Sequence, residues 1–366
     1  MQITAALAVA PGAPFELAEL ELAAPGPGEV LVRIAGVGLC HTDLVFRDQF
    51  IPYPLPAVLG HEGAGVVAAL GPDVQGLAVG DTVVLGFASC GACPRCAQQL
   101  PSCCREFVAR NYAGVRPCGT SPLSLHGVAV AGAFFGQSSF ASHALVNWRN
   151  VVRVEAGADL ALLGPLGCGL QTGAGAVLRA MDCPVGSTLV VFGGGPVGLA
   201  GVMAARYRGC AQIVLAEPLA ARRALALELG ASHVLDPAAG DMAAQIRQIL
   251  PDGADFVLET SGREAVVAEA MACLASHGTL GLVGVPARAD STLAVNLAGL
   301  ITHGHRIMGI VEGDSDLFTF IPELVALYRA GHFPFDRLIQ TFPLAEINAA
   351  IAAQHRGDCV KAVLLP

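Results

Sequence analysis

The chain reads as an α/β protein in two parts, a mostly-β first part and a doubly wound parallel sheet. Three observations predict this. Residues 1 to about 90 hold short apolar runs bounded by Pro, Gly and Asp, with no sustained 3.6-residue period. From Leu170 to about Val285, strand-like runs alternate with helix-like ones, the pattern of parallel strands joined by crossover helices. Within that alternation, strand-like Val190–Phe192 leads through Gly193-x-Gly195-x-x-Gly198 into helix-compatible Leu199–Ala205. Strand, tight turn and helix start are what a dinucleotide pyrophosphate site needs.

The 366 residues suffice for two domains, each with its own core. The expected division is 1–169, with a cysteine lobe at 87–105, then 170–308, with 309–366 returning to the first domain. Hydrophobic residues make up 54% and charged residues 14%, which suits a sheet buried on both faces and a subunit interface. No stretch of about 20 residues stays apolar without glycine, proline or charge, so no membrane-spanning helix is expected. The first residues lack the basic start of a signal peptide, and a cytoplasmic protein is expected. A net charge of −9 without a basic cluster argues against nucleic acid as a partner. Twelve cysteines with no export signal point to metal or reduced thiols.

In the first part, Glu29–Val37 and Gly63–Leu70 read as strands, and Gly80–Leu85 as a turn entering a third. Two short motifs follow or precede them: Gly38-Leu-Cys40-His41-Thr42-Asp43 and Gly60-His61-Glu62-Gly63. Cysteine, histidine and carboxylate at strand ends suit a borderline-soft cation such as zinc. Cys90, Cys93, Cys96 and Cys104 have the spacing C-x2-C-x2-C-x7-C, which closes a tetrahedron around a structural zinc; Cys103 competes for the last place, but the spacing favours Cys104. Beyond lies an aromatic segment, Ala133–Phe140, readable as core or as pocket wall. A glycine-rich turn at Gly164–Gly175 adds Cys168.

In the second part, strands are expected at Ser187–Phe192, Gln212–Ala216, His233–Leu235, Asp255–Leu258 and Thr279–Val283. Helices are expected to Arg208 and at Leu219–Leu229, Asp241–Leu250 and Glu264–Leu274. Glu217 closes the second strand, 19 residues after Gly198. An acid there accepts from the adenosine ribose hydroxyls and repels a 2′-phosphate, which favours NAD over NADP. Two more helices, one from Phe318 and one at Leu344–Gln354, and a strand from Cys359 end the chain.

In this order, these motifs resemble the zinc-dependent medium-chain alcohol dehydrogenases over essentially the whole chain. The resemblance implies a GroES-like catalytic domain and a Rossmann coenzyme domain. It implies a catalytic zinc on Cys40, His61 and Cys168 and a structural zinc on Cys90, Cys93, Cys96 and Cys104. The segments Cys40–Asp48, Gly132–Ala141 and Gly309–Ser315 look like bacterial aryl-alcohol (benzyl alcohol) dehydrogenases and the allied geraniol and perillyl alcohol enzymes. The implied reaction is oxidation of an aromatic or allylic primary alcohol to the aldehyde, by hydride transfer from a zinc-bound alkoxide to NAD. Thr42 accepts the substrate's proton, Asp43 orients a ligand, and Glu62 stands behind the metal. His41, Thr172, Gly193, Gly195, Pro196, Val197, Gly198, Glu217, Arg222, Val283, Val285 and Lys361 match coenzyme positions. Phe87, Phe134, Phe135 and Phe140 match pocket walls. Arg222 reads equally as a solvated helix charge, and His41 and Lys361 have solvent-facing alternatives. Where many animal relatives end the proton relay with a histidine, this chain has Val45, so the proton leaves by the ribose hydroxyl and His41 or by water. The long connection from Cys104 to Cys168 resembles that of dimeric relatives; a homodimer is expected, with a homotetramer as alternative. Two rivals are a glutathione-linked formaldehyde dehydrogenase, which would need basic and polar pocket residues, and a zinc-knuckle nucleic-acid binder, which the acidic balance disfavours.

Overall fold

The computed structural model describes residues 1–155, 160–286, 288 and 290–366. They divide into two compact units. The first comprises Met1–Cys168, Asp316–Ala326 and Asp336–Pro366, and the second Gly169–Ser315 and Leu327–Phe335.

Antiparallel pairing dominates the first unit. Strands β1 (Gln2–Ala8), β2 (Glu16–Leu22), β3 (Glu29–Gly38), β4 (Ala57–Val58), β5 (Gly63–Leu70), β6 (Thr82–Leu85), β7 (Leu123–Leu125), β8 (Val128–Val130), β9 (His143–Asn147) and β10 (Val151–Arg153) come from its first segment. One sheet has the order β4-β1-β2-β7-β8. In the other, β3 pairs antiparallel with both β5 and β9, and β5 with β6. A helix, α1 (His41–Arg47), follows β3, where the sequence reading expected only strands. Seven residues are too few to display a helical period, and the N-cap interaction that starts it is local: Asp43 accepts a hydrogen bond from the Cys40 N–H at 2.9 Å.

The second unit holds β11 (Thr188–Phe192), β12 (Gln212–Ala216), β13 (His233–Leu235), β14 (Ala254–Glu259), β15 (Leu274–Leu282) and β16 (Arg306–Gly309). Their order is β13-β12-β11-β14-β15-β16, all neighbours parallel. The order reverses between β11 and β14, and ligands of such sheets bind beyond the carboxyl strand ends at that point. Leu189, Val190 and Val191 of β11 are fully buried, each worth about 1.5–3 kcal/mol of burial. Val190, Val214, Val257 and Leu280 pack against Met242, Ile246 and Ala270 from two helices on one face. Helix Pro196–Arg208 is buried from Gly198 to Ala205 and stops at Gly209, whose φ of 84° favours glycine.

The chain returns to the first unit with β17 (Ile339–Pro343) and β18 (Lys361–Leu365), and β18 pairs antiparallel with the end of β3. Among the described residues, no single helix is long and apolar enough to cross a membrane.

Candidate active site and metal centres

The ends of β3 and β5 are neighbours: Gly38 donates its N–H to the Glu62 carbonyl at 3.0 Å. That pairing sets Cys40, just past β3, beside His61 and Glu62, just before β5. The turn Gly164–Gly167 delivers Cys168 to the same place. Ligand atoms of Cys40, His61, Glu62 and Cys168 all lie within 4.8 Å of one another.

Asp43 organises this group. Its Oδ1 accepts from the Gly60 N–H at 3.1 Å and lies 2.8 Å from His61 Nδ1. An ionised carboxylate only accepts, so Nδ1 carries the imidazole proton and Nε2 keeps its lone pair. Nε2 is buried and has no hydrogen-bond partner. An unpaired imidazole nitrogen costs free energy in the interior unless something else binds it. Two thiols beside it make a soft nitrogen–sulfur donor set that fits zinc. Burial works against a charged imidazole, but Asp43 outweighs it and holds His61 well above its ordinary pKa. Hydrogen bonding from Cys168, helped by His61 and Lys361, holds Cys40 well below the ordinary thiol against the effect of burial.

Glu62 and Lys361 form a buried pair, with Nζ 2.5 Å from Glu62 Oε2 and donating to the Leu39 carbonyl at 3.0 Å. Burial alone pushes the Glu62 carboxyl up and opposes the charge on Lys361, which Glu62 and Cys40 restore. A Cβ on Gly38 would collide with the Glu62 carboxylate, so this position excludes larger residues. Lys361, matched by resemblance to the coenzyme phosphates, would have to leave Glu62 to reach one. Gln137 pins the same backbone: Nε2 donates to the His61 and Gly86 carbonyls at 2.9 and 3.1 Å, and Oε1 accepts from the Gly63 N–H at 3.1 Å. Thr42 is half-buried on the first turn of α1, His41 is exposed, and Val45 is buried.

Aromatic rings enclose His61. Phe135 stacks on the imidazole with centroids 4.5 Å apart and an interplanar angle of 26°, and Phe134 meets it edge-on at 5.5 Å. Tyr53 and Phe46 contact Phe134, Tyr112 and Phe107 contact Phe135, and Phe87 leans on Phe107 at 5.7 Å. Phe140 lies apart from these rings, edge-on against Phe15 at 5.8 Å. Its N–H and carbonyl are bonded to Leu59 and Ala6, which commits its side chain to the core. Nothing in the local sequence marks Tyr53, Phe107, Tyr112 or Gln137, because their partners are distant along the chain.

The second cluster gathers Cys90, Cys93, Cys96 and Cys104 and leaves Cys103 exposed outside it. Sulfurs of Cys90 and Cys93 lie 3.9 and 3.6 Å from that of Cys96. Zinc–sulfur bonds of about 2.3 Å give a tetrahedral edge of about 3.8 Å, so the sulfurs are already spaced for the ion. Backbone N–H groups point at them, from Cys93 to Cys90 at 3.2 Å and from Cys90 to Cys104 at 3.3 Å. Donation from the backbone of Arg105 and Cys96 pulls the Cys93 thiol down to about 6, while burial pushes Cys96 up to about 12.

In the second unit, Gly193 (φ 101°) turns the chain after β11, and Gly195 caps helix Pro196–Arg208, with Pro196 at its first position and Val197 next. A Cβ on Gly198 would strike the Gly193 carbonyl, so the helix packs this closely only on glycine. A Cβ on Gly195 would meet nothing within 4 Å, and the helix has no acid in its first turn. That open, uncontested helix start suits a pyrophosphate. Glu217, buried, accepts from the Gly194 N–H at 2.6 Å and the Leu219 N–H at 2.8 Å. Arg223 holds the Glu217 and Pro218 carbonyls at 2.7 and 2.8 Å, whereas Arg222 Nε is buried without a partner. Thr172 donates to Glu312 at 3.4 Å, Val283 donates its N–H to the Glu259 carbonyl at 3.0 Å, and Val285 is exposed beyond β15.

Residues 26–156 match the alcohol dehydrogenase GroES-like domain and residues 196–326 the zinc-binding dehydrogenase domain. The chain is 47% identical over 356 residues to geraniol dehydrogenase of Castellaniella defragrans, covering 97% of this chain and 95% of that one. Its fold is similar to that of benzyl alcohol dehydrogenase from Acinetobacter calcoaceticus, with TM-score 0.96, 40% identity and coverage of 100% and 99% of the two chains. An alcohol dehydrogenase zinc-binding domain protein from Burkholderia ambifaria gives TM-score 0.98 at 47% identity, with coverage of 100% and 99%. With its glycine turn, its cysteine lobe and the Cys40–His61–Cys168 donor set, the chain belongs to the zinc-dependent medium-chain alcohol dehydrogenases.

Proposed function

We propose that this alcohol dehydrogenase oxidises primary alcohols whose carbinol carbon is attached to an aromatic ring or a double bond, with NAD as oxidant. The observation that carries this reading is the wall of rings around His61, above all Phe135 stacked on it. A flat benzylic or allylic group buries far more surface against such a wall than ethanol does. The names of the geraniol and benzyl alcohol relatives point the same way.

Zinc held by Cys40, His61 and Cys168 supplies Lewis acidity that lowers the pKa of the substrate hydroxyl. Asp43 keeps His61 in the tautomer that leaves Nε2 as donor. Thr42 Oγ1 accepts the substrate's proton, two residues from Cys40. Val45 carries no titratable group, so the proton leaves toward exposed His41 and solvent. Lys361 neutralises Glu62, whose carboxylate lies beside the donor atoms of Cys40, His61 and Cys168. The start of helix Pro196–Arg208 binds the pyrophosphate, and Glu217 disfavours a 2′-phosphate. We infer a homodimer as well, supported by β16, an edge strand with Leu297 and Ile301 exposed nearby; sedimentation tests it.

Steady-state rates with benzyl, cinnamyl, geranyl and perillyl alcohols, ethanol and the glutathione–formaldehyde adduct, with both coenzymes, test the reading. A kcat/KM at least a hundredfold above that of ethanol for one of the four larger alcohols is expected. Preference for ethanol or the adduct overturns it. Among the four, the named relatives favour a terpenoid alcohol as strongly as benzyl alcohol.

A further inference from the structure

Phe135 meets the face of His61 from a backbone conformation that side chains disfavour. Its φ and ψ are 49° and 31°, in the left-handed region that residues with a Cβ mostly avoid. Gly136 and Ser138, on either side of Gln137, also have positive φ, 66° and 50°. Such a turn persists only where surrounding contacts over-determine it, and these outliers gather where geometry serves function. Ser138 supplies one tie: its Oγ accepts from the Phe134 N–H at 2.9 Å and donates to the Val58 carbonyl at 2.7 Å.

Gln137 supplies the other. It is 1% exposed, and its amide is fully used. Nε2 donates to the His61 and Gly86 carbonyls, while Oε1 accepts from the Gly63 N–H and, at 2.9 Å, from Ser139 Oγ. Carbonyls only accept and backbone N–H groups only donate, so the amide can sit in one orientation alone. His61 and Gly63 flank Glu62 at the start of β5. Gly86 follows β6, and a Cβ on Gly167 would strike the carbonyl of its neighbour Leu85. Gly167 in turn precedes Cys168. One side chain therefore joins the turn that bears Phe135 to the backbone of His61 and to the segment on which the Cys168 turn rests.

We propose that Gln137 is a positioning residue for alcohol selection: it holds Phe135 in register with His61, so that the ring wall and the metal centre move as one. This role rests on the ring wall selecting the alcohol, as proposed above. Without the amide, the strained turn relaxes and the Phe135 ring leaves the imidazole face.

Gln137→Met keeps the length and loses all four bonds. Gln137→Glu, used if the first variant does not fold, keeps the shape and loses the donation to the two carbonyls. Melting temperature and zinc content identify folded, fully loaded protein. The ratio of kcat/KM for benzyl alcohol to that for ethanol is measured in each variant, in Phe135→Ala and in the double variants. A ratio lowered at least about fivefold by the Gln137 change, with less than about a twofold further change when it is added to Phe135→Ala, supports the proposal. Equal losses for both alcohols, or the same fall repeated in the Phe135→Ala background, overturn it, because Gln137 then acts on stability or independently of the ring. A ratio that falls in Phe135→Ala but not in the Gln137 variants overturns this proposal alone. A ratio unchanged in Phe135→Ala itself removes the wall's role in selection, and this one with it.

Discussion

Oδ1 of Asp43 lies 2.8 Å from Nδ1 of His61, and neither side chain has exposed surface. The contact decides which nitrogen faces the metal. Asp43→Asn keeps the shape but presents an amide that can turn its N–H toward Nδ1 and favour the wrong tautomer. Zinc affinity at this centre is expected to fall roughly 10- to 100-fold, read by competition with a chelating dye, while the cysteine lobe keeps its metal. Unchanged affinity would mean that the pairing does not position His61.

Glu62 and Lys361 neutralise each other out of water. Lys361→Met leaves a bare buried carboxylate and should cost about 3–5 kcal/mol, visible as a lowered melting temperature. Glu62→Gln added to it removes the stranded charge and should recover most of the loss. A double variant no more stable than the single would refute the coupling.

Metal analysis is expected to give two zinc ions per chain, and one in Cys96→Ser. Acid should strip the Cys40–His61–Cys168 centre early. His61 keeps its proton to higher pH than a free imidazole of pKa about 6.5, because Asp43 favours the charged form. Protons therefore compete with the metal more strongly as pH falls through neutrality, and retention measured against pH should decline there. Retention that is flat between pH 8 and 6 would contradict this.

Glu217 ties the glycine turn to the end of β12 through Gly194. Glu217→Ser removes both the tie and the negative charge. The KM for NAD should rise about tenfold, and the preference for NAD over NADP should fall. An unaltered coenzyme ratio would show that Glu217 does not discriminate.

Phe135→Ala opens the wall over His61. Losing one ring contact of about 1.5–3 kcal/mol should lower kcat/KM for benzyl alcohol roughly 10- to 100-fold and leave ethanol nearly unaffected. Equal losses for both alcohols would give the ring a purely structural role.

Much of this was legible in the linear chain, because the features concerned are local. The cysteine spacing, the glycine turn and the strand–helix alternation each depend on residues close in sequence, where backbone geometry alone sets the distances. α1 escaped notice because about two turns are too few to show a period. Other relationships join residues far apart, and only packing brings them together: Lys361 bonds Leu39 across 322 positions, and Gln137 bonds His61 across 76. Phe134, Phe135 and Phe140 look alike in sequence, but hydrogen bonds to Leu59 and Ala6 turn Phe140 into the core while the other two meet His61.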